Sequence, residues 1–193
     1  MDPSAAAPLY PIFLKIEGRK VLVVGAGPVA ESKIASLIVA RARVVVVAPE
    51  ATPGVQALAR SGAVDWHRRA FQPDDADGAW LIVAATSDAA VQASTAAAGE
   101  ARSLFVLAVD DIPNASAYSG ALLRRAPFTV AISSSGEVPA LSRLLREILE
   151  DILPEADWVD HAKRLRASWI ARGTPIGERF GELVRAFAAR QGK

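Results

Sequence analysis

Six residues near the start of the chain carry the first sign of chemistry. Gly25-Ala26-Gly27-Pro28-Val29-Ala30 forms a G-x-G-x-x-A turn after the apolar run Val21 to Val24 and before a helical pattern. Gly25 permits the tight turn, Gly27 leaves no Cβ between the backbone and a pyrophosphate, and Ala30 lets the helix pack closely on its strand. With Pro28 and Val29 opening the helix, an anion there would face backbone N–H groups and the positive end of the helix dipole, so no basic side chain is required. The motif predicts a dinucleotide site.

The acidic residue that usually binds the ribose hydroxyls at the end of the second strand is absent. That place holds Val47-Ala48-Pro49, and Glu50 follows the proline. NAD is favoured over NADP by a narrow margin only. Arg41 or Arg43 could meet a 2′-phosphate, although solvated arginines weigh more. A second polar turn, Ala85-Thr86-Ser87-Asp88, follows the apolar run Trp80 to Ala84 and precedes an alanine-rich helix. Thr86 is a candidate nucleotide contact there, while Ser87 and Asp88 read as helix caps. The polar stretch Asp110 to Tyr118 leaves the same edge of the expected sheet, where substrate chemistry belongs.

Residue usage narrows the classes. The 193 residues carry 22 basic and 21 acidic side chains, a net charge of +1, which gives no electrostatic case for nucleic acid or a membrane surface. Without cysteine there is no disulfide framework, thiolate metal site or thiol nucleophile. His67 and His161, the two histidines, match no metal-ligand spacing and read as structural. The opening MDPSAAAP has neither a basic nor a long apolar segment, and no apolar run approaches the ~20 residues that span a bilayer. A soluble, cytoplasmic protein is expected.

The elements that must hold these residues follow from period and punctuation. Residues 1–8 read as a disordered start, and Tyr10 to Leu14 as an apolar cover for the fold. Strands are expected at Val21–Val24, Val44–Val47, Val64–Arg68, Trp80–Ala84 and Phe105–Val109. Helices alternate with them: Val29 to about Ala42, a short one opened by Thr52-Pro53 and ended by Ser61-Gly62, another short one after Gln72-Pro73, and Ala89 to about Ala101. Beyond Val109 the alternation stops. Two short strands, Ala121–Leu123 and Phe128–Ile132, flank Arg124-Arg125 in a small separate sheet. Pro139 then starts a helix with Leu141, Leu144, Leu145, Ile148, Leu149 and Ile152 on one face, which Pro154 should stop. That face suits a subunit interface as well as a core, and a dimer is preferred. Two further amphipathic helices centre on Trp158 to Ile170 and Phe180 to Phe187.

Three blocks now resemble a known family: LYPIFLKIEGRKVLVVGAGPVAESK, LIVAATSD and FTVAISSSGEVPALSRLLREILEDILP. They are similar to precorrin-2 dehydrogenases, including the dehydrogenase/ferrochelatase domain of siroheme synthases, over nearly all of residues 9–190. The last block is the most specific, because a generic Rossmann protein has no reason to carry a Ser-Ser-x-Gly-x-x-Pro-Ala-Leu turn and helix start. The resemblance departs at Leu107, at Ser135-Gly136 and at Ile112, which makes the loop after Asp111 one residue longer.

The resemblance implies a Rossmann-like parallel sheet, a small α+β dimerisation segment and a C-terminal helical domain, divided at 1–112, 113–150 and 151–193. It implies NAD-dependent oxidation of precorrin-2 to sirohydrochlorin by a homodimer, and in some members insertion of Fe2+ as a second activity; because His67 and His161 match no metal-ligand spacing, any such insertion is expected to act through transient contacts and not a fixed metal site. Carried over by position, the family's important aspartate falls on Asp110 and its turn serine on Ser134. A carboxylate beside the nicotinamide can take the proton lost in dehydrogenation. Precorrin-2 bears many carboxylates, so Arg124 and Arg125 are candidate substrate contacts, with Arg143 and Arg146 behind them. A chain ending at Lys193 is expected to leave uroporphyrinogen methylation to another protein. The alternative is a non-enzymatic NAD(H) sensor acting through a protein partner; it gives no role to Asp110, the serine turn or the arginines.

Overall fold

The computed structural model describes residues 8–153 and 156–191; the start expected to be disordered, as far as residue 7, and the helix stop at Pro154 lie outside them. Five parallel strands form the central sheet: β1 (Lys20–Val24), β2 (Arg43–Val47), β3 (Asp65–His67), β4 (Leu81–Ala84) and β5 (Phe105–Ala108), in the order β3-β2-β1-β4-β5. Their near-continuous apolar runs follow from burial on both faces. Val21 and Val23 pack with Ile34, Leu37, Val44, Val46 and Val55 on one side, whereas Leu22 and Val24 pack with Val45, Val47, Ile82, Ala98 and Val106 on the other. Each such valine or leucine, taken fully out of water, contributes about 1.5–3 kcal/mol before entropy is counted. The expected Rossmann-like class is the observed one.

Helices α1 (Pro28–Val39) and α2 (Pro53–Arg60) supply the first of those faces, and α3 (Ala89–Glu100) with the 3-10 turn Pro73–Ala76 supplies the second. The expected punctuation holds: Thr52 Oγ1 accepts the Val55 N–H at 3.2 Å, and Asp88 Oδ1 accepts those of Ala90 and Val91 at 2.9 and 3.1 Å. Asp75 closes the 3-10 turn by accepting the Gln72 N–H at 2.8 Å. Most boundaries differ from expectation by one residue, β3 by one at each end (Asp65–His67 in place of Val64–Arg68), and two of the differences have a visible cause. Helix α1 stops at Val39, three residues early, because Arg41 takes a left-handed φ of 56° and Ala42 N–H returns to Leu37 O at 3.1 Å. Strand β5 ends at Ala108; the next amide, Val109, still donates to Ala84 O at 2.9 Å.

The chain divides into two compact units, one of residues 1–119 with 135–137 and one of residues 120–134 with 138–193. The second unit holds the antiparallel hairpin β6 (Ala121–Arg125) and β7 (Phe128–Ile132), followed by α4 (Pro139–Ile152), α5 (Ala156–Arg172) and α6 (Ile176–Gln191). Arg124 and Arg125 belong to β6, paired with Thr129 and Phe128, and the turn is Ala126-Pro127. Helix α4 packs on the hairpin, and Leu123 is buried. Its apolar stripe is otherwise open: Leu141, Leu144, Leu145, Ile148 and Ile152 range from 42% to 65% exposed. Helices α5 and α6 pack on each other, with Trp169 buried and its indole donating to Glu182 Oε2 at 2.6 Å.

Candidate dinucleotide and substrate site

Strand β1 is where the sheet changes direction, since α1 leads to β2 on one side while β4 lies on the other. Open α/β sheets bind ligands at the carboxyl ends of strands flanking such a switch. The turn after β1 is built for it. Gly25, at φ 101°, donates to Val47 O at 3.0 Å, and a Cβ at this position would collide with the Ala85 carbonyl. Ala85 N–H in turn reaches Val24 O at 2.8 Å, so the two loops are locked together.

Gly27 is different. It is the extended residue before α1, has no side-chain cap, and a Cβ built on it would meet no atom within 4 Å. Pro28 takes the first helical position, where its missing N–H costs nothing, and the Val29 and Ala30 amides fall in the turn that has no intrahelical partners. Ala30 is fully buried under the helix, and Val29 is half exposed. An open approach above a capless helix start fits a pyrophosphate. Nearby, Ala26 O accepts the Thr52 N–H at 3.0 Å and Glu31 accepts the Thr52 hydroxyl at 2.5 Å, tying the first turn of α1 to the start of α2.

The loops after β4 and β5 complete this end of the sheet. Thr86 Oγ1 accepts the Asp88 N–H at 3.2 Å, while Thr86 O accepts Gln92 Nε2 at 2.6 Å. The same Gln92 amide lies 3.5 Å from Val109 O, so one α3 side chain spans both loops. Gln92 was invisible to motif reasoning; a polar residue on the inward face of an alanine-rich helix was its only signal. Its Oε1 is buried with no hydrogen-bond partner among the described residues.

Asp110 follows directly, exposed and at φ 56°, a left-handed conformation that aspartate tolerates better than most residues. Asp111 accepts Asn114 Nδ2 at 2.6 Å within the 3-10 turn Ile112–Asn114. The loop then runs along β5, with Ser116 and Ala117 amides on Val106 O and Ser116 Oγ accepting the Val106 N–H. Lys33 of α1 donates to Ser119 Oγ at 2.6 Å; burial lowers its pKa from the ordinary lysine value, and the Asp110 charge partly offsets this.

Gly25, Gly27, Pro28, Val29, Ala30, Thr86 and Asp110 therefore sit on the first unit, at the carboxyl ends of β1, β4 and β5. Ser134, Arg124 and Arg125 belong to the second. Ser134 Oγ accepts the Val138 N–H at 3.3 Å before α4. Arg125 donates to Leu153 O at 2.8 Å, at the carboxyl end of α4, whereas Arg124 is exposed. Arg143 and Arg146 are paired with Glu147 and Glu150 along α4. His67 lies 3.3 Å from Asp65, and His161 meets the Trp158 ring edge-on at 5.3 Å.

A family model described as "Putative NAD(P)-binding" matches residues 12–121, and the chain belongs to that family. The fold and the glycine turn thus define a dinucleotide-binding protein of the Rossmann class. Among its relatives, siroheme synthase 1 of Aeromonas salmonicida is 42% identical over 171 residues, covering 88% of this chain and 36% of that protein. Siroheme synthase 1 of Cronobacter sakazakii is 45% identical over 144 residues, covering 75% and 31%. The chain thus spans about a third of the length of these curated relatives. A solved structure titled SirC, precorrin-2 dehydrogenase, superposes with a TM-score of 0.72 at 22% identity, covering 92% of this chain and 88% of that one. No helix among the described residues is long and apolar enough to cross a membrane.

Proposed function

We propose that this chain oxidises precorrin-2 to sirohydrochlorin with NAD, in the cytoplasm and as a homodimer. The observation that carries the reading is Asp110: an exposed carboxylate held at the end of β5, on the same sheet edge as the open turn at Gly27. The siroheme synthase relatives support the substrate class.

Bound NAD would supply the hydride acceptor. The α1 amides would hold its pyrophosphate, and Thr86 would contact the nucleotide. Asp110 would take the proton that leaves precorrin-2 as the hydride departs, giving sirohydrochlorin, NADH and a protonated carboxyl that returns its proton to solvent. Ser134 and the guanidinium groups of Arg124 and Arg125 are proposed contacts for the substrate's carboxylates, Arg125 doing so beside its bond to Leu153. Insertion of Fe2+ is a proposed second step in which Asp110 accepts pyrrole protons and the ion is substrate. We further propose the three-part layout of a dinucleotide domain at 1–112, a dimerisation and substrate segment at 113–150, and a helical domain at 151–193. The open stripe on α4 supports the dimer.

An anaerobic assay with enzymatically generated precorrin-2 and NAD tests the reading. NADH formed together with the sirohydrochlorin spectrum supports it, and faster-than-spontaneous uptake of Fe2+ adds the chelatase. NADH binding without any turnover of intact substrate overturns it in favour of the sensor.

A further inference from the structure

Lys33 is the one basic residue of α1, and neither the glycine motif nor the proposed reaction gives it a task. Its position is specific. From the second turn of the helix the ammonium of this half-buried residue donates to Ser119 Oγ at 2.6 Å, across 86 residues of sequence. Ser119 closes the loop that Asp110 opens, and the Asp110 carboxylate is the charge that acts on Lys33. One ammonium therefore bonds the far end of a ten-residue loop and feels the charge at its near end, and that loop bears the proposed proton acceptor. On Lys33's own helix, Glu31 is engaged by Thr52, and from α3 the neutral Gln92 reaches the carbonyl just before Asp110.

We infer that Lys33 is a positioning residue for the proposed dehydrogenation: its ammonium ties Ser119 to α1, attracts the Asp110 carboxylate by charge, and so holds the loop that bears that carboxylate at the dinucleotide end of the sheet. This rests on the proposed function, and it goes further by giving the loop an electrostatic clasp on the helix that binds the pyrophosphate. A lysine is placed where side-chain burial costs the charged form, which is tolerable because the hydroxyl and carboxylate compensate. Burial lowers the Lys33 pKa, so the clasp opens on the alkaline side earlier than an exposed lysine would lose its proton.

The test compares the full-length wild type with Lys33→Met, Lys33→Arg and Ser119→Ala. Lys33→Met is expected to reduce kcat on the order of 10- to 100-fold, the scale of a misplaced reacting group, with the KM for NAD unchanged. Lys33→Arg, which keeps its charge, is expected to restore most of the rate and to remove the alkaline fall of the wild-type pH profile. Independently of turnover, amide hydrogen exchange over residues 111–119 should quicken in Lys33→Met and in Ser119→Ala. Wild-type kcat in Lys33→Met, no rescue by arginine, or unchanged exchange in that loop would each overturn the clasp. Failure of the wild type to oxidise precorrin-2 would instead remove the proposed function, with exchange still deciding whether the clasp exists.

Discussion

The Cα of Gly25 faces the Ala85 carbonyl with no room for a side chain between them, so the turn after β1 and the turn after β4 are one packed unit. Two residues on, Gly27 has open space instead. The two glycines of the motif therefore serve different ends, stability at the first and access at the second. Gly25→Ala is expected to destabilise the fold by about 3 kcal/mol, through collision and a φ that alanine avoids. Gly27→Val should melt close to the wild type yet lose NADH binding, because the branched side chain fills the pyrophosphate's approach. Thermal denaturation beside fluorescence titration of NADH separates the two.

Asp110→Asn tests the proposed proton acceptor. Asparagine also tolerates a φ of 56°, so the loop should keep its shape. NADH affinity is expected to stay within a few-fold of wild type while precorrin-2 oxidation falls by about 10²- to 10⁴-fold, the usual range for a lost acid-base group. Near-normal turnover by the folded variant would remove Asp110 from the reaction.

Acid stability should depend on Asp75. The Arg69 side chain donates to its carboxylate at 2.5 and 2.8 Å, and the Gln72 amide adds a third bond, so its pKa is lowered below the ordinary value. A lowered native pKa means stability that is fully present above about pH 4, the unfolded-state value, and lost as pH falls through the native one. Asp75→Asn is therefore expected to melt below the wild type at pH 7 by a margin that closes under pH 4. Paired melts across that range measure it.

The proposed dimer predicts the behaviour of the α4 stripe. Leu145→Asp puts a charge among Leu141, Leu144 and Ile148, all about half exposed within one chain. Sedimentation at micromolar concentration should then show monomers where the wild type sediments as dimers, with little change in helix content. A monomeric wild type would end the proposal.

The features legible in the sequence were those that nearest neighbours decide. Val21 to Val24 reads as a doubly buried strand, Gly25 and Gly27 as a turn, and Thr52-Pro53 and Asp88 as helix starts, because each depends on residues within a few positions. The premature end of α1 was hidden, since a left-handed arginine at position 41 has no sequence mark. Gln92 and Lys33 were hidden for a different reason. Lys33 meets Ser119 across 86 residues and Gln92 meets Val109 across 17, and only the strand order β2-β1-β4-β5 brings these pairs near. Arg124 and Arg125 were visible as a basic pair, but their place in β6 and the bond from Arg125 to Leu153 depend on hairpin register and on the end of α4.

Ser135 to Glu137 belong with the first unit although the residues on either side belong with the second, and Gly136 lies against Ile112. The backbone is thus threaded: neither unit is one uninterrupted stretch of the gene product. Truncation after Ser119 would yield a nucleotide-binding fragment whose Ile112 has lost its cover. Circular permutation or domain exchange between homologues must carry residues 135–137 along with the first 119 residues, so recombination has few places to cut this chain cleanly.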